Sequence, residues 1–356
     1  MSAYAKRRRK VRDWLQANGV DAILVTSAAN VRYLSGFGGE GMVVIGTDAV
    51  LCTDRRYEIE AGAVPGRVKV QLHPGGHLGG VIEALNSTKA KRVAFEAEST
   101  LYSSYENLTA RLDGIETVPV RGVIEQLRAV KDRTEVDAIR RAAAIMDKSL
   151  QQMASCLEPG MTEREVALDL DRATILAGSE GMAFDTIAAF GPSAAHPHAV
   201  PGARKLKLGH MVKIDCGARV DGYCSDITRT YIVGTPGDQL RQIYQAVFDA
   251  QWAACEAAKP GMNCRDLDAV ARDIITQRGF GEQFGHGLGH GVGLQVHELP
   301  RVSSRSEDVL KPGMVVTIEP GIYIEGFGGV RIEDTVVITR SGCEPLTLAP
   351  KQQLDP

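Results

Sequence analysis

The chain has 356 residues, enough for two domains with substantial cores, and its charges nearly balance at a formal net charge of −3. This balance argues against nucleic acid as a partner, and no apolar stretch is long enough to cross a membrane. The basic run KRRRK from Lys6 lacks an apolar signal core. We interpret it as the solvent-exposed face of a first helix, with a nucleic-acid patch as the alternative. Seven scattered cysteines without a C-x-x-C pair indicate a reducing, cytoplasmic compartment.

Residues 1–124 are predicted to form one α/β domain. Its first helix covers residues 6–18, and Asp54 is placed to cap a later helix. Strand-like apolar runs begin at Ala22, Met42, Val50, Val68, Arg92 and Ile115. A densely charged helical sequence starts at Val123, so we place a second domain at residues 125–356.

The second domain contains an internal duplication. The paired blocks are EPGMT from Glu158 with KPGMN from Lys259, and LKLG from Leu206 with LKPG from Leu310. Each LK block is followed by a strand that ends in an acid, Asp215 in one half and Glu319 in the other. Self-similarity of this kind predicts two related halves, each in the order helix, histidine, strand, acid, hairpin, acid.

Four carboxylates and one imidazole stand in apolar or glycine-flanked strand sequence: Asp215, Asp226, His290, Glu319 and Glu333. Burying such groups is costly unless they are paired or bind metal, and a shared two-metal site satisfies all five. We expect Asp215 and Asp226 to face each other across one hairpin. Glu319 and Glu333 are expected to do the same in the other half. Ordinary strand-end acids are the alternative, but their equivalent repeat positions indicate a common cause.

This oxygen-rich ligand set favours hard divalent ions, with manganese as the best fit and cobalt or zinc as alternatives. Two such ions can share bridging carboxylates and activate water for attack on an amide or ester. The sequence contains no H-E-x-x-H and no G-x-S-x-G, which argues against a zincin or a serine hydrolase.

Histidines close to these ligands are candidates for contacts with a substrate carbonyl. His198 and His297 occupy matching positions in the two halves, which suits donors to the carbonyl and to the tetrahedral intermediate. His286, four residues before His290, is a third candidate. His196 is expected to point away from His198 if that segment is extended.

The pattern resembles the pita-bread metallopeptidases, which include aminopeptidase P, prolidase and methionine aminopeptidase. The matching blocks are DCG from Asp215, SDITRT from Ser225, GHGLGH from Gly285, HELPR from His297, IEPGIY from Ile318 and VRIED from Val330. The resemblance implies an α+β fold with duplicated α/β halves around a curved antiparallel sheet in the C-terminal domain. It also implies a smaller creatinase-like N-terminal domain. Methionine aminopeptidases typically lack that domain, so the Xaa-Pro-cleaving branch is favoured.

The resemblance further implies individual roles. The metal ligands would be Asp215, Asp226, His290, Glu319 and Glu333, with Asp226 and Glu333 bridging two ions. The catalytic residues would be His198, His297 and Glu319, and the substrate-binding residues would be His286, Arg301 and Arg331. Arg331 alternates with Glu333 along one strand and can therefore reach the acids. Arg301 stands where a prolidase residue approaches the substrate carboxylate.

The implied activity is that of a dinuclear metal-dependent exopeptidase that hydrolyses the Xaa-Pro bond at the N-terminus of proline-containing peptides. We favour aminopeptidase P because TDRRY from Thr53 resembles a block of those chains. A prolidase that acts on Xaa-Pro dipeptides is the alternative. A metal-free binding protein or a creatinase-like amidinohydrolase is disfavoured because all five ligands are present. The family implies a homodimer or higher homo-oligomer.

Overall fold

The structure is a computed structural model, and it describes residues 2–352. The chain divides into two compact units, one that ends at Arg128 and one that begins at Ala129. Within residues 2–352, none of the helices combines the length and the apolar character that a membrane crossing requires.

The first unit is built on a six-stranded sheet. Its strands are β1 (Ala22–Val25), β2 (Met42–Ile45), β3 (Ala49–Thr53), β4 (Lys69–Leu72), β5 (Arg92–Glu96) and β6 (Glu116–Val120). Its helices are α1 (Ala3–Ala17), α2 (Ala28–Ser35), α3 (Glu58–Gly62), α4 (His77–Asn86), α5 (Tyr102–Thr109) and α6 (Val123–Ala129), the last at the division between the units. The sheet order is β4-β3-β2-β1-β5-β6. The central strands β1, β2 and β3 pair antiparallel, whereas β4 pairs parallel with β3, β5 with β1 and β6 with β5. This mixed sheet with its helices confirms the α/β prediction.

Two arginines of the basic N-terminal run are buried, so the solvent-exposed interpretation is wrong for them. In α1, Arg7 donates to the carbonyl oxygen of Tyr33 at 3.1 Å and Arg8 to that of Leu34 at 2.7 Å. Both acceptors lie in the last turn of α2, where carbonyl groups lack helical partners and attract cations. A run of basic residues in the sequence does not show which of them will bond to the end of a later helix.

The second unit holds two larger antiparallel sheets. Its strands are β7 (Ile187–Phe190), β8 (Met211–Cys216), β9 (Arg219–Val220), β10 (Tyr223–Cys224), β11 (Ile227–Ile232), β12 (Gly289–Gly291), β13 (Glu298–Val302), β14 (Val315–Ile318), β15 (Gly321–Ile324), β16 (Gly328–Arg331), β17 (Asp334–Ile338) and β18 (Cys343–Pro345). Its helices are α7 (Arg133–Ser155), α8 (Glu163–Leu176), α9 (Asp238–Ala257) and α10 (Cys264–Gln277). One sheet has the order β11-β8-β7 and the other β13-β12-β14-β17-β18, while β9-β10 and β15-β16 form small hairpins.

The duplication is confirmed at the level of backbone contacts. The N–H of Gly160 donates to the carbonyl of Leu206 at 2.9 Å, and the N–H of Gly261 donates to that of Leu310 at 2.8 Å. These four residues belong to the matched sequence blocks, so the same local closure forms in both halves. In each half, a pair of helices, α7–α8 or α9–α10, precedes the central strands in the sequence.

Strand alternation separates the core from the site. On β8, Val212 and Ile214 join the core formed with α7 and α8, while Lys213 and Asp215 face the opposite side. On β14, Val316 and Ile318 join the core formed with α9 and α10. The next residue after Ile318, Glu319, therefore lies on the face opposite that core.

Candidate active site

One carboxylate pair is placed differently from our expectation. In the β8–β11 ladder the residue opposite Asp215 is Thr228, so the direct Asp215–Asp226 pairing is wrong. The β9–β10 hairpin shares the register of this ladder, and its turn is centred on Asp221 and Gly222, one residue later than a direct pairing of the two acids requires. Asp226 precedes Ile227, the first residue of β11, and lies diagonal to Asp215 on the same face, still close enough to share a site.

The second carboxylate pair has the expected register. Ile318 is opposite Asp334 in the β14–β17 ladder, and Gly321 is opposite Arg331 in the β15–β16 ladder. Because both ladders share one register, Glu319 and Glu333 occupy opposing positions between them. The N–H of Glu333 also donates to the carbonyl of Thr228 at 3.1 Å, which joins this half of the unit to β11.

A cavity of about 500 Å³ collects almost every predicted site residue. Those lining it are Asp215, Asp226, His290, Glu319, Glu333, His198, His286, His297 and Arg331. Arg301 is the exception and does not line this cavity. It lies opposite His290 in the β12–β13 ladder, with an exposed side chain on the same face of the sheet.

The buried carboxylates have the properties of cation ligands. Burial, followed by repulsion from neighbouring carboxylates, raises the pKa of both Asp226 and Glu333 well above the usual range. Within residues 2–352, Oδ1 of Asp215 and Oε1 of Glu333 are buried and accept no hydrogen bond. One ligand atom each from Asp226, His290 and Glu333 lies within 4.8 Å of the other two. These residues therefore fit a divalent cation.

His290 is held against Glu319. Its Nε2 lies 3.2 Å from Oε1 of Glu319, and its backbone N–H donates to Oγ1 of Thr317 at 3.0 Å. A side chain at Gly289 would place Cβ 2.1 Å from the Thr317 carbonyl oxygen, so glycine lets β12 approach β14. Burial opposes ionisation of Glu319, but the hydrogen bond and charge of His290 lower its pKa to about 2.

Arg331 reaches the acids, as the strand alternation predicts. Its guanidinium pairs with Asp215, donates from Nε to Oγ1 of Thr228 at 3.0 Å, and donates from Nη1 to Tyr323 Oη at 2.8 Å. Nη1 also lies 3.3 Å from the Pro197 carbonyl oxygen. The arginine therefore connects one predicted metal ligand to the wall of the cavity.

Tyr323 is a site residue that sequence reasoning missed. The Nδ1 of His286 lies 2.8 Å from the Gly287 carbonyl and must donate there, so the other ring nitrogen of the neutral imidazole accepts. Tyr323 Oη, 3.0 Å from Nε2, is therefore the donor to His286 and the acceptor from Arg331. Burial raises the pKa of Tyr323 to about 12, which keeps this phenol protonated. The sequence signal for this role was the position of Tyr323 at the end of the block IEPGIY, which also contains Glu319.

The two repeat-matched histidines lie at the cavity and are exposed. The rings of His290 and His297 meet edge to face, with centroids 4.3 Å apart, so His297 adjoins the predicted metal ligands directly. Apolar side chains complete the cavity wall; they are Phe184, Ile187, Pro197, Ala199, Val200, Pro201 and Val296. The arrangement thus combines a cation site, two exposed imidazoles and an apolar surface.

Comparison with known proteins gives the same assignment. The sequence profile of Metallopeptidase family M24 matches residues 137–340, and that of the Creatinase/Prolidase N-terminal domain matches residues 7–130. The chain is 40% identical to an Xaa-Pro dipeptidase of Pyrococcus furiosus, over 98% of this chain and 99% of that protein.

Solved structures show the same fold over nearly the whole chain. An Xaa-Pro dipeptidase from Bacillus anthracis superposes with a TM-score of 0.95 at 38% identity, covering 98% of this chain and 99% of that one. An X-Pro aminopeptidase from Thermotoga maritima superposes with a TM-score of 0.90 at 35% identity, covering 97% and 99%. The α+β pita-bread fold and the resemblance found in the sequence are confirmed. The chain belongs to Metallopeptidase family M24, with a Creatinase/Prolidase N-terminal domain preceding the metallopeptidase domain.

Proposed function

We propose that this chain is a dinuclear metal-dependent exopeptidase that hydrolyses the Xaa-Pro bond of proline-containing peptides. The observation that carries the proposal is the convergence of four acids and His290 on one cavity, where two buried carboxylate oxygens accept no hydrogen bond within residues 2–352. The names of the similar Xaa-Pro dipeptidases and X-Pro aminopeptidase support the substrate class.

The chain's own residues suggest how two ions would be held. Asp226 and Glu333 would bridge them, Asp215 would complete one site, and His290 with Glu319 would complete the other. Manganese suits these oxygen-rich ligands best, with cobalt or zinc as alternatives. When bound, such ions polarise a carbonyl and lower the pKa of water.

The remaining side chains orient the peptide and move its proton. His198 and His297, exposed at the cavity, donate hydrogen bonds to the scissile carbonyl and to the oxyanion that develops from it. Glu319 accepts a proton from the attacking water and returns it to the proline nitrogen as the peptide bond breaks. His286 and the apolar wall receive the pyrrolidine ring.

Proline in the second position is the expected requirement. The Xaa-Pro bond is a tertiary amide without an N–H. A site that makes no hydrogen bond to the amide N–H of its substrate therefore binds this bond without losing an interaction. An apolar wall also favours the ring over a smaller side chain, and we expect kcat/KM for Ala-Pro to exceed that for Ala-Ala by at least about tenfold. Quantifying released alanine from both dipeptides tests this, and equal rates would contradict the proline pocket.

Dipeptidase and aminopeptidase activity remain two candidate forms of this function. The Pyrococcus furiosus and Bacillus anthracis proteins are Xaa-Pro dipeptidases, which favours the dipeptide form. The Thermotoga maritima structure is that of an aminopeptidase, and Arg301 does not line the cavity, which favours longer peptides. A dipeptidase must hold the proline carboxylate, and Arg301 on the face of His290 is our candidate for that contact.

Replacing Arg301 with alanine distinguishes the two forms. If the enzyme is a dipeptidase, Arg301→Ala is expected to raise KM for Ala-Pro, because the carboxylate loses a charged hydrogen bond worth about 1.5–3 kcal/mol. If the enzyme is an aminopeptidase, cleavage of Ala-Pro-Ala by Arg301→Ala should change little, since a peptide bond replaces the proline carboxylate in that substrate. Arg305→Ala, an exposed arginine on the following loop, is the matched control. Unchanged Ala-Pro kinetics would remove Arg301 from the site.

Two further properties belong to the proposal. All seven cysteines are free, which supports a reducing, cytoplasmic location. We also propose a homodimer or higher homo-oligomer, to be measured by light scattering on the purified protein.

A further inference from the structure

The position of His198 depends on the backbone that carries it. Its imidazole is exposed and lines the cavity. It stands in the segment 190–202, which also supplies the apolar residues Pro197 and Val200 to the cavity wall. Whatever fixes this segment therefore fixes the imidazole.

The ends of the segment are closed by a buried acid. Glu163, in the first turn of α8, accepts hydrogen bonds from the N–H of Phe190 at 2.9 Å and from the N–H of Gly202 at 3.0 Å. The Ser193 hydroxyl also contacts this carboxylate. Glu163 thus brings the two ends together but does not reach the middle, where His198 lies.

The middle of the segment is held by a buried lysine on β8. Nζ of Lys213 donates to the carbonyl oxygens of Ala194 at 3.1 Å and His196 at 2.6 Å, with that of Pro197 at 3.4 Å. Lys213 has no exposed surface, and its Nζ lies 5.0 Å from the centre of the Tyr323 ring. Burying an amine is costly unless its hydrogen bonds are made, and here they all go to one segment.

In the duplicated half, the equivalent strand position also bonds to a segment that carries a histidine, but as an acceptor from its backbone N–H. Lys213 precedes Asp215 by two residues, and Thr317 precedes Glu319 by two. Thr317 accepts the backbone N–H of His290 and donates to Glu319. In both halves, therefore, this strand position is bonded to the backbone of a segment that carries a site histidine.

We propose that Lys213 is a positioning residue for catalysis, which holds His198 at the cavity through the carbonyls of Ala194, His196 and Pro197. The proposal rests on the function proposed above for His198. It assigns a task to a buried amine that is not among the residues lining the cavity.

The test uses Lys213→Met, which keeps an unbranched apolar side chain only one atom shorter and removes the hydrogen-bond donors. We expect kcat for Ala-Pro to fall by up to about 100-fold, the effect of displacing a catalytic group by about 1 Å, with KM and bound manganese unchanged. The exposed Lys207→Met is the matched control and should behave like the wild type. Lys213→Gln, which retains one donor group, should be intermediate and serves if the methionine variant does not fold.

A double-mutant comparison separates positioning from a general structural role. If Lys213 acts through His198, Lys213→Met combined with His198→Ala should be no slower than His198→Ala alone, within roughly twofold. Multiplied losses would overturn the proposal, as would loss of manganese from Lys213→Met.

Hydrogen exchange gives a readout that does not depend on activity. Amides of residues 194–202 should exchange faster in Lys213→Met, while those of the His290 strand should not. If the wild type proves inactive on Xaa-Pro substrates, the proposed function fails, but this exchange comparison still stands. Unchanged exchange at 194–202 would overturn the role of Lys213.

Discussion

Glu333→Ala is expected to lose both its bound manganese and its turnover. Glu333 is one of the two proposed bridging ligands, lies almost fully buried, and presents an Oε1 that accepts no hydrogen bond within residues 2–352. Burial and the charge of Glu319 raise the pKa of Glu333, and a cation bound beside it would favour the ionised form. The measurement is manganese per chain after dialysis, together with kcat on Ala-Pro.

Two matched variants make this result specific. Glu333→Gln keeps an oxygen that can accept the hydrogen bond that Thr228 now gives to Glu333 at 2.6 Å, so it should fold normally yet still lose manganese. Glu307→Ala removes an exposed glutamate and should retain both manganese and activity. A Glu333→Ala protein that still holds two ions per chain would show that the ligand assignment is wrong.

His297→Ala and His198→Ala are expected to bind manganese normally but to turn over slowly. Both imidazoles line the cavity and are exposed, so their proposed role is to donate to the carbonyl and its developing oxyanion. Loss of one such donor costs roughly 2.7–4 kcal/mol, equivalent to about 10²- to 10³-fold in kcat. Steady-state kinetics on Ala-Pro with metal analysis of each variant measures both properties.

The control for these histidines stands on the same segment. His196 is two residues from His198, is exposed, and is not among the residues that line the cavity. His196→Ala should therefore keep near-wild-type kinetics. Loss of metal from His297→Ala or His198→Ala would instead reassign that histidine as a metal ligand.

Much of the site could be predicted because strand alternation and duplication are local features of sequence. Acids in apolar strands can be recognised without coordinates, since burying them unpaired is too costly. The repeat then placed Asp215 and Glu319 at equivalent strand ends, and the structure puts both on the cavity. The same alternation predicted that Arg331 reaches the acids, which its pairing with Asp215 bears out.

What escaped prediction depends on contacts between distant residues. The Asp215–Asp226 pairing was wrong because the hairpin between them turns at Asp221 and Gly222, one residue later than that pairing requires. Lys213 was passed over because its partners, including His196, lie well before it in the chain. Tyr323 was not predicted because its role depends on the hydrogen bonds of its hydroxyl to His286 and Arg331.

The most direct test of the central claim is the release of free proline from Ala-Pro before chelation, after chelation and after manganese is restored. The five-residue ligand set predicts that removing divalent ions abolishes proline release and that manganese, or cobalt in its place, returns it. The folded state of the chelated protein is checked by circular dichroism, so that lost activity is not mistaken for unfolding. Full proline release by the metal-free, folded protein would contradict the account.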